Sequence, residues 1–222
     1  MRAAIKSLAL DLLIQHGYRG VSFGHLAAAL KTTRANIHYH FGHKQTLVEE
    51  ILADYVRETT AAMREIWTVS QAPLAEKIER NVEYSRQRYL KYNKPGREGR
   101  NWSLIARMRE DSHVLTPKGH QALQHFAQEL SACIASAIEE AKRRGEFVSS
   151  MPVEDVALQL CSIANSAAPI TQDARSFERL EQLYFGFTRI LMEAFGTKVQ
   201  SSRKAGAGSK ARSRGRRAQR GT

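Results

Sequence analysis

An all-α fold is expected on three grounds. Apolar residues return at intervals of three and four through most of residues 3–196, no period-two alternation competes with them, and the interruptions fall at Gly, Pro and Ser/Thr, which cap and stop helices. The expected division is a three-helix N-terminal domain over 1–52 containing a helix-turn-helix, a larger helical domain over 53–196, and a basic tail over 197–222.

The first helix is expected over 3–16, with Ile5, Leu8, Ala9, Leu12 and Leu13 on one face and Gly17 as its stop. Ser22 opens the second, because its side-chain oxygen can accept a free amide of the first turn. Leu26, Ala29 and Leu30 follow at helical spacing. Lys31-Thr32-Thr33 interrupts the pattern, and Thr33 can cap a third helix from Arg34 to about His40. Two short helices joined by such a turn make a helix-turn-helix, whose second helix fits a DNA major groove.

A fourth helix begins near Lys44, carries the stripe Leu47, Val48, Ile51, Leu52 and Tyr55, and runs to about Trp67, joining the two domains. Pro73 starts a fifth, reaching about Asn93. The Asn/Lys/Pro/Gly run 93–100 is a loop. A short sixth helix covers 102–110, and a seventh runs from Thr116-Pro117 to about Arg144 with Gly145 as its cap. The eighth starts at Pro152 and stops near Pro169; the ninth starts at Asp173 or Ser176 and ends at Phe195 before Gly196.

Composition narrows the function classes. No run of about 18 apolar residues exists, which excludes a membrane-spanning helix, and no charged-then-apolar export segment opens the chain, so a cytoplasmic location is expected. Cys133 and Cys161 sit in apolar helical patterns without basic neighbours and read as buried free thiols. Of the net charge of +12, nine charges come from Lys and Arg beyond Thr197, a stretch without Asp or Glu, so residues 1–197 carry only +3. The Ala/Gly/Ser/Arg/Lys tail cannot bury a core and is expected to be disordered. It reads either as a solubilising extension or, the reading favoured by a polyanionic partner, as a nonspecific DNA arm.

Double-stranded DNA is the partner that a helix-turn-helix leads one to expect. Affinity needs cations and amides at phosphates, and sequence choice needs side chains at base edges. Arg34, in the first turn of the third helix, can bridge the two acceptors of a guanine or contact a phosphate; both roles stay open. Asn36 and His38 can reach bases or phosphates from the same helix, while Ile37 and Phe41 belong to the core. His38, His40 and His43 suggest a metal, and a metal-dependent hydrolase is the rival reading. But His38 and His40 stand two apart, about 200° around a helix, and no carboxylate follows until Glu49. H-E-x-x-H and G-x-S-x-G patterns are absent too, so no metal, cofactor or enzymatic activity is expected.

Gly17-Tyr18, Val21-Ser22, Leu26-Ala27, the run Ile37-His38-Tyr39-His40-Phe41 and Lys44 stand in one register at the N-terminus. With them, residues 2–52 resemble the DNA-binding domain of the TetR/AcrR family of bacterial transcriptional regulators. The resemblance implies that Ser22, Thr33, Tyr39, His40 and Lys44 take backbone-positioning roles on DNA. Lys44 also stands where the free amides of the fourth helix attract an anion. The chain departs from the family in the turn: Lys31-Thr32-Thr33 replaces the usual Gly-Val-Ser. Lys31 then costs about a kcal/mol if its φ is positive, and adds a cation near the DNA.

The resemblance further implies that the last two helices form a four-helix bundle with their copies in a homodimer. Their apolar residues include Val156, Leu160, Ala164 and Ala167, then Leu180, Leu183, Tyr184, Phe187 and Leu191. Burial of both helices in a monomer core is the alternative. A pocket for an unknown small-molecule effector is implied between the fifth and eighth helices, with Tyr84, Arg88, Trp102, Ile105, Met108, Phe126 and Asn165 as candidate lining; a buried Arg88 would favour an anionic ligand. The expectation is a ligand-responsive homodimeric repressor on a palindromic operator, or a regulator of the same kind without ligand response.

Overall fold

The computed structural model describes residues 1–197; the expectations for the tail beyond Thr197 lie outside the described residues. Among the described residues ten α-helices follow one another: α1 (Arg2–His16), α2 (Phe23–Ala29), α3 (Arg34–Phe41), α4 (Lys44–Arg64), α5 (Leu74–Tyr92), α6 (Leu104–Glu110), α7 (Pro117–Arg143), α8 (Val153–Asn165), α9 (Ala167–Asp173) and α10 (Glu178–Phe195). Among the described residues no helix is long and apolar enough to cross a membrane.

The N-terminal helices close around Ile5, Ala9, Leu13, Leu26, Ile37 and Leu47, all fully buried. The caps read from sequence form. The Ser22 hydroxyl accepts from the His25 N–H at 3.1 Å, and the Thr33 hydroxyl accepts from the Asn36 N–H at 3.1 Å. Each such cap is worth about 1 kcal/mol. Lys31 does adopt a positive φ, 51°, in the turn between α2 and α3. Ala29, read as a core position of α2, is exposed; Phe23 and Ala27 take that role, because a seven-residue helix turns only one face inward.

The expected boundary at 52/53 falls inside α4, a single 21-residue helix. Its buried stripe continues past Tyr55 through Val56, Thr59 and Met63, so one rigid rod belongs to both cores. Lys6 pairs with Asp54 and Arg2 with Glu50, tying α1 to the same rod. A π-helical turn, Glu65–Val69, closes α4 and seats the fully buried Trp67. Lys77 from α5 donates to the Trp67 carbonyl at 2.8 Å, filling an acceptor that the wider turn frees. The amide of Leu74 at the start of α5 donates to Glu146 from beyond α7, at 2.9 Å.

One predicted helix is two. The segment 152–169 breaks at Ser166, and Pro169 lies inside the first turn of α9 rather than at a helix end. A proline is tolerated there, since first-turn amides have no intrahelical acceptor. The chain's last described residues fold back onto the end of α7. An isolated antiparallel bridge joins Phe147 to Gly196, and the Thr197 N–H donates to the Glu146 carbonyl at 3.0 Å.

The apolar faces of α8 and α10 divide differently from the sequence expectation. Val156, Leu160, Ala167, Leu180, Tyr184 and Leu191, proposed as contacts with a second copy, are buried in the chain's own core. They are therefore removed from any outer surface. Leu183, Phe187 and Ala164 are half-buried, whereas Leu158 and Ile190 are 63% and 70% exposed.

Candidate functional site

Between Asp11 and Glu49 the chain has no acidic residue, while Arg19, Lys31, Arg34 and Lys44 contribute four cations. None of α2, α3 and α4 carries an acid in its first turn, so three helix N-termini in this segment keep their positive ends uncompensated. On α3, Arg34 is exposed and has no acidic partner within ion-pair distance among the described residues. Its guanidinium lies across Gly24, where an added Cβ would come within 2.6 Å of it. Glycine in α2 thus leaves the room in which the Arg34 side chain lies flat. Tyr39 is 85% exposed on the same helix, an aromatic carrying a hydroxyl donor.

The remaining candidates are held in place by neighbours. The Asn36 side-chain amide donates to the Thr32 hydroxyl at 2.9 Å, which braces the turn and directs that amide backwards. His38 packs edge-on against Phe23 at 4.7 Å, and its Nδ1 lies 2.8 Å from the Gly42 carbonyl, so it buttresses the exit of α3. His40 stacks edge-on with Tyr39 at 5.5 Å. Lys44 stands over the Tyr18 ring at 3.9 Å. Burial pulls its pKa below the ordinary lysine value, against the opposing pull of Asp111. Tyr18 and Asp111 had no signal in the sequence as partners of Lys44, because 93 residues separate them from each other. Among the described residues no three His, Cys, Asp or Glu side chains gather to hold a metal ion.

The second domain grips the first at several points on α1 and the turn that follows it. The Asp111 carboxylate accepts from the Tyr18 N–H at 2.7 Å. Arg107 of α6 donates to the Ile14 carbonyl at 3.3 Å. From α5, Lys91 and Tyr92 both donate to Asp11, each at 2.8 Å. The Tyr92 hydroxyl is raised to a pKa of about 12, first by burial and then by the Asp11 bond, and so remains a donor at neutral pH.

Behind these grips lies a narrow cavity of about 70 Å³. It is walled by Tyr55, Thr59 and Met63 of α4 together with side chains of α5, the 102–109 region, α7, α8, α9 and α10. Six of the seven lining candidates border it: Tyr84, Arg88, Trp102, Ile105, Phe126 and Asn165. Met108 does not; it is fully buried in the core and outside the lining. Nothing local singles out Arg109, which looks like part of a solvated Arg-x-Arg face, or Tyr184, which reads as plain core. Tyr55, Tyr84 and Arg88 also border an outer cleft shared with Leu10 of α1. They form the wall between the cavity and the DNA-binding helices.

A compact three-helix unit with a capped helix-turn-helix, set before a larger helical domain, defines the class of helix-turn-helix transcriptional regulators. Residues 5–51 match the family model described as bacterial regulatory proteins, tetR family. That match identifies residues 5–51 as a DNA-binding domain of the TetR family of transcriptional regulators, a family that is not enzymatic. Solved structures of similar fold include the reduced form of Escherichia coli NemR, at a TM-score of 0.69 and 16% identity, covering 85% of this chain and 95% of that one. A TetR-family regulator from Agrobacterium tumefaciens gives a TM-score of 0.69 at 18% identity, covering 88% and 97%. A regulator from Saccharomonospora viridis, solved in complex with choline, gives 0.69 at 20% identity, covering 89% and 98%. No curated protein sequence matches the chain.

Proposed function

We propose that the protein is a homodimeric repressor that leaves its operator when a small molecule enters the cavity. The observation that carries the effector reading is the double membership of α4, α5 and α6. Each lines the cavity, and α5 and α6 also hold α1 and Tyr18 through Asp11, Ile14 and Asp111. A cavity of about 70 Å³ has room for a few waters, far below the ~300–1,000 Å³ that drug-sized ligands occupy. An effector therefore has to part α4, α5 and α6, and parting them displaces α1 and α4. In a dimer that movement changes the separation of the two α3 helices from the ~34–36 Å, or a multiple, that successive turns of DNA demand. The choline complex of the S. viridis regulator is consistent with a small-molecule site in this fold.

DNA binding rests on the acid-free segment, in which α3 presents Arg34 and Tyr39 and the starts of α2, α3 and α4 present free amides. Ser22, Lys31, Thr32, Thr33, His40 and Lys44 belong to the phosphate-facing set in this reading, with Asn36 and His38 bracing α3. Arg34→Ala is expected to weaken operator binding by ~1–3 kcal/mol and to relax preference at one base pair per half-site. Lys44→Ala is expected to weaken binding evenly across sequences. Titration against an operator and its single-base variants checks both; a uniform loss for Arg34→Ala would assign that guanidinium to a phosphate.

Dimerisation is assigned to the outer faces of α8 and α10. Leu183, Gly186, Phe187 and Ile190 recur at the i, i+3, i+4, i+7 spacing of one helix face, and Leu158 stands exposed on α8. The basic segment after Thr197 is proposed to add nonspecific phosphate contacts. Removing it is then expected to flatten the salt dependence of log affinity by ~0.9 for each phosphate released. Operator titrations at several salt concentrations, with and without residues 198–222, measure that slope, and equal slopes would leave the tail a solubilising extension.

A further inference from the structure

We propose that the effector is an organic anion, a carboxylate carried on an apolar body, bound in the cavity by Arg88 of α5 and Arg109 of α6. The inference rests on the effector reading above and gives that site a ligand class.

The charge of the lining points to it. Two guanidinium groups border the cavity and no Asp or Glu does. Each has only neutral company among the described residues. Arg88 donates to the Tyr84 hydroxyl at 2.8 Å and lies over the rings of Tyr55, at 4.5 Å, and Tyr84, at 5.3 Å. Arg109 donates to the Asn165 side-chain oxygen at 3.0 Å. A guanidinium has five N–H donors, so one side-chain acceptor apiece leaves most of them unanswered. Burial pulls the Arg109 pKa below its ordinary value with no acidic neighbour to restore it. Both side chains are partly withdrawn from water; burial works against the Arg88 charge as well, but Tyr55 and Tyr84 offset it and raise its pKa above the ordinary value, so Arg109 is the cation left without compensation.

The rest of the lining matches the same ligand. Thr59 is 7% exposed, and its hydroxyl, beside the Tyr84 phenol, makes no well-formed hydrogen bond among the described residues. It is a spare donor on a residue that lines the cavity. Trp102, Ile105, Phe126 and Leu130 supply the apolar wall, and the Trp102 indole N–H is already satisfied by Thr171 at 2.8 Å. Glu58 borders the outer cleft together with Lys91 and is not part of the cavity lining. A cationic ligand would meet two like charges with nothing to offset them.

The test uses the full chain and a set of probes matched in shape: phenylacetate, phenylacetamide and phenethylamine, with 3-phenylpropionate and decanoate as longer carboxylates. Binding is read by calorimetry and melting temperature, and release by operator titration. The expected result is that carboxylates raise the melting temperature and loosen the operator complex while the amide and the amine do neither. Arg88→Gln and Arg109→Gln are each expected to lower carboxylate affinity about tenfold or more. Where a glutamine variant fails to fold, Arg88→Lys or Arg109→Lys keeps the charge and is expected to fall between wild type and that loss. Carboxylate binding that ignores both arginines would overturn the proposal. So would an amide or amine that binds as tightly as its carboxylate; if that binding is abolished by filling the cavity with Phe126→Trp, the effector reading itself survives. Binding by none of the probes at millimolar concentration would overturn both.

Discussion

Ile190→Glu is expected to yield a folded monomer that no longer binds its operator. Ile190 is 70% exposed, so within one chain a glutamate there meets water and the helix content should not change. In a two-fold interface the same substitution places two carboxylates opposite an apolar face, since the patch on each copy is the same. Burying an unpaired carboxylate costs several kcal/mol, enough to dissociate an interface of ordinary size. A single helix-turn-helix then binds one half-site alone and loses the ~10²–10⁴-fold advantage of linked binding. Sedimentation and operator titration read the two consequences independently. Leu158→Glu and Phe187→Glu should act in the same direction, whereas Leu180→Glu should unfold the chain, because Leu180 is fully buried. A dimeric Ile190→Glu protein with unaltered operator affinity would move the interface away from α8 and α10.

Gly17→Ala is expected to combine backbone strain with a steric clash where α6 meets the end of α1. Gly17 has φ 67° and ψ −172°, a conformation that is essentially restricted to glycine and costs of order 1–3 kcal/mol for a residue with a Cβ. Space is also lacking: the Cβ would come within 2.5 Å of Asp111 Oδ2 and 3.3 Å of the Arg107 side chain. Those are the groups that hold the Tyr18 amide and the Ile14 carbonyl. The methyl therefore adds backbone strain and separates α6 from α1 at once. A fall in melting temperature and a weaker operator complex are expected together. Gly96→Ala makes a useful comparison: φ is again positive, 78°, but no atom lies within 4 Å, so only the strain should register and DNA binding should not change.

Much of this architecture is written in short-range patterns. Ser22, Thr33, Thr116 and Gly145 mark helix ends because capping chemistry is local, and the α4 stripe from Leu47 to Tyr55 is a simple period. Lys31 shows how fine such reading can be: the absent glycine implies a strained lysine, and its φ is 51°. What stays hidden is decided by packing across the chain. Which side of α10 faces inward cannot be told from a helix with apolar residues around most of its girth. Tyr184 and Leu180 went inward and Ile190 outward because of what α5 and α8 present to them. Arg109 likewise looks like an ordinary surface cation until Asn165, 56 residues away, comes within hydrogen-bonding distance. Pro169 reads as a stop because a proline breaks a helix already under way; at the third position of a new one it breaks nothing.

The tightness of the cavity has a kinetic consequence. If an effector enters as proposed, a space that holds a few waters cannot admit it as it stands, so the form competent to bind would be a minor, expanded conformer. Measured affinity is then the intrinsic affinity scaled by the fraction of chains in that conformer. As effector concentration rises, the observed rate of association should level off at the opening rate instead of climbing in proportion. Trimming the wall, as in Phe126→Leu, would raise the open population, hasten the response and blunt the distinction between the bound and unbound states. The sensitivity of the regulator would thus be set as much by the effort of parting α4, α5 and α6 as by any contact the effector makes once inside.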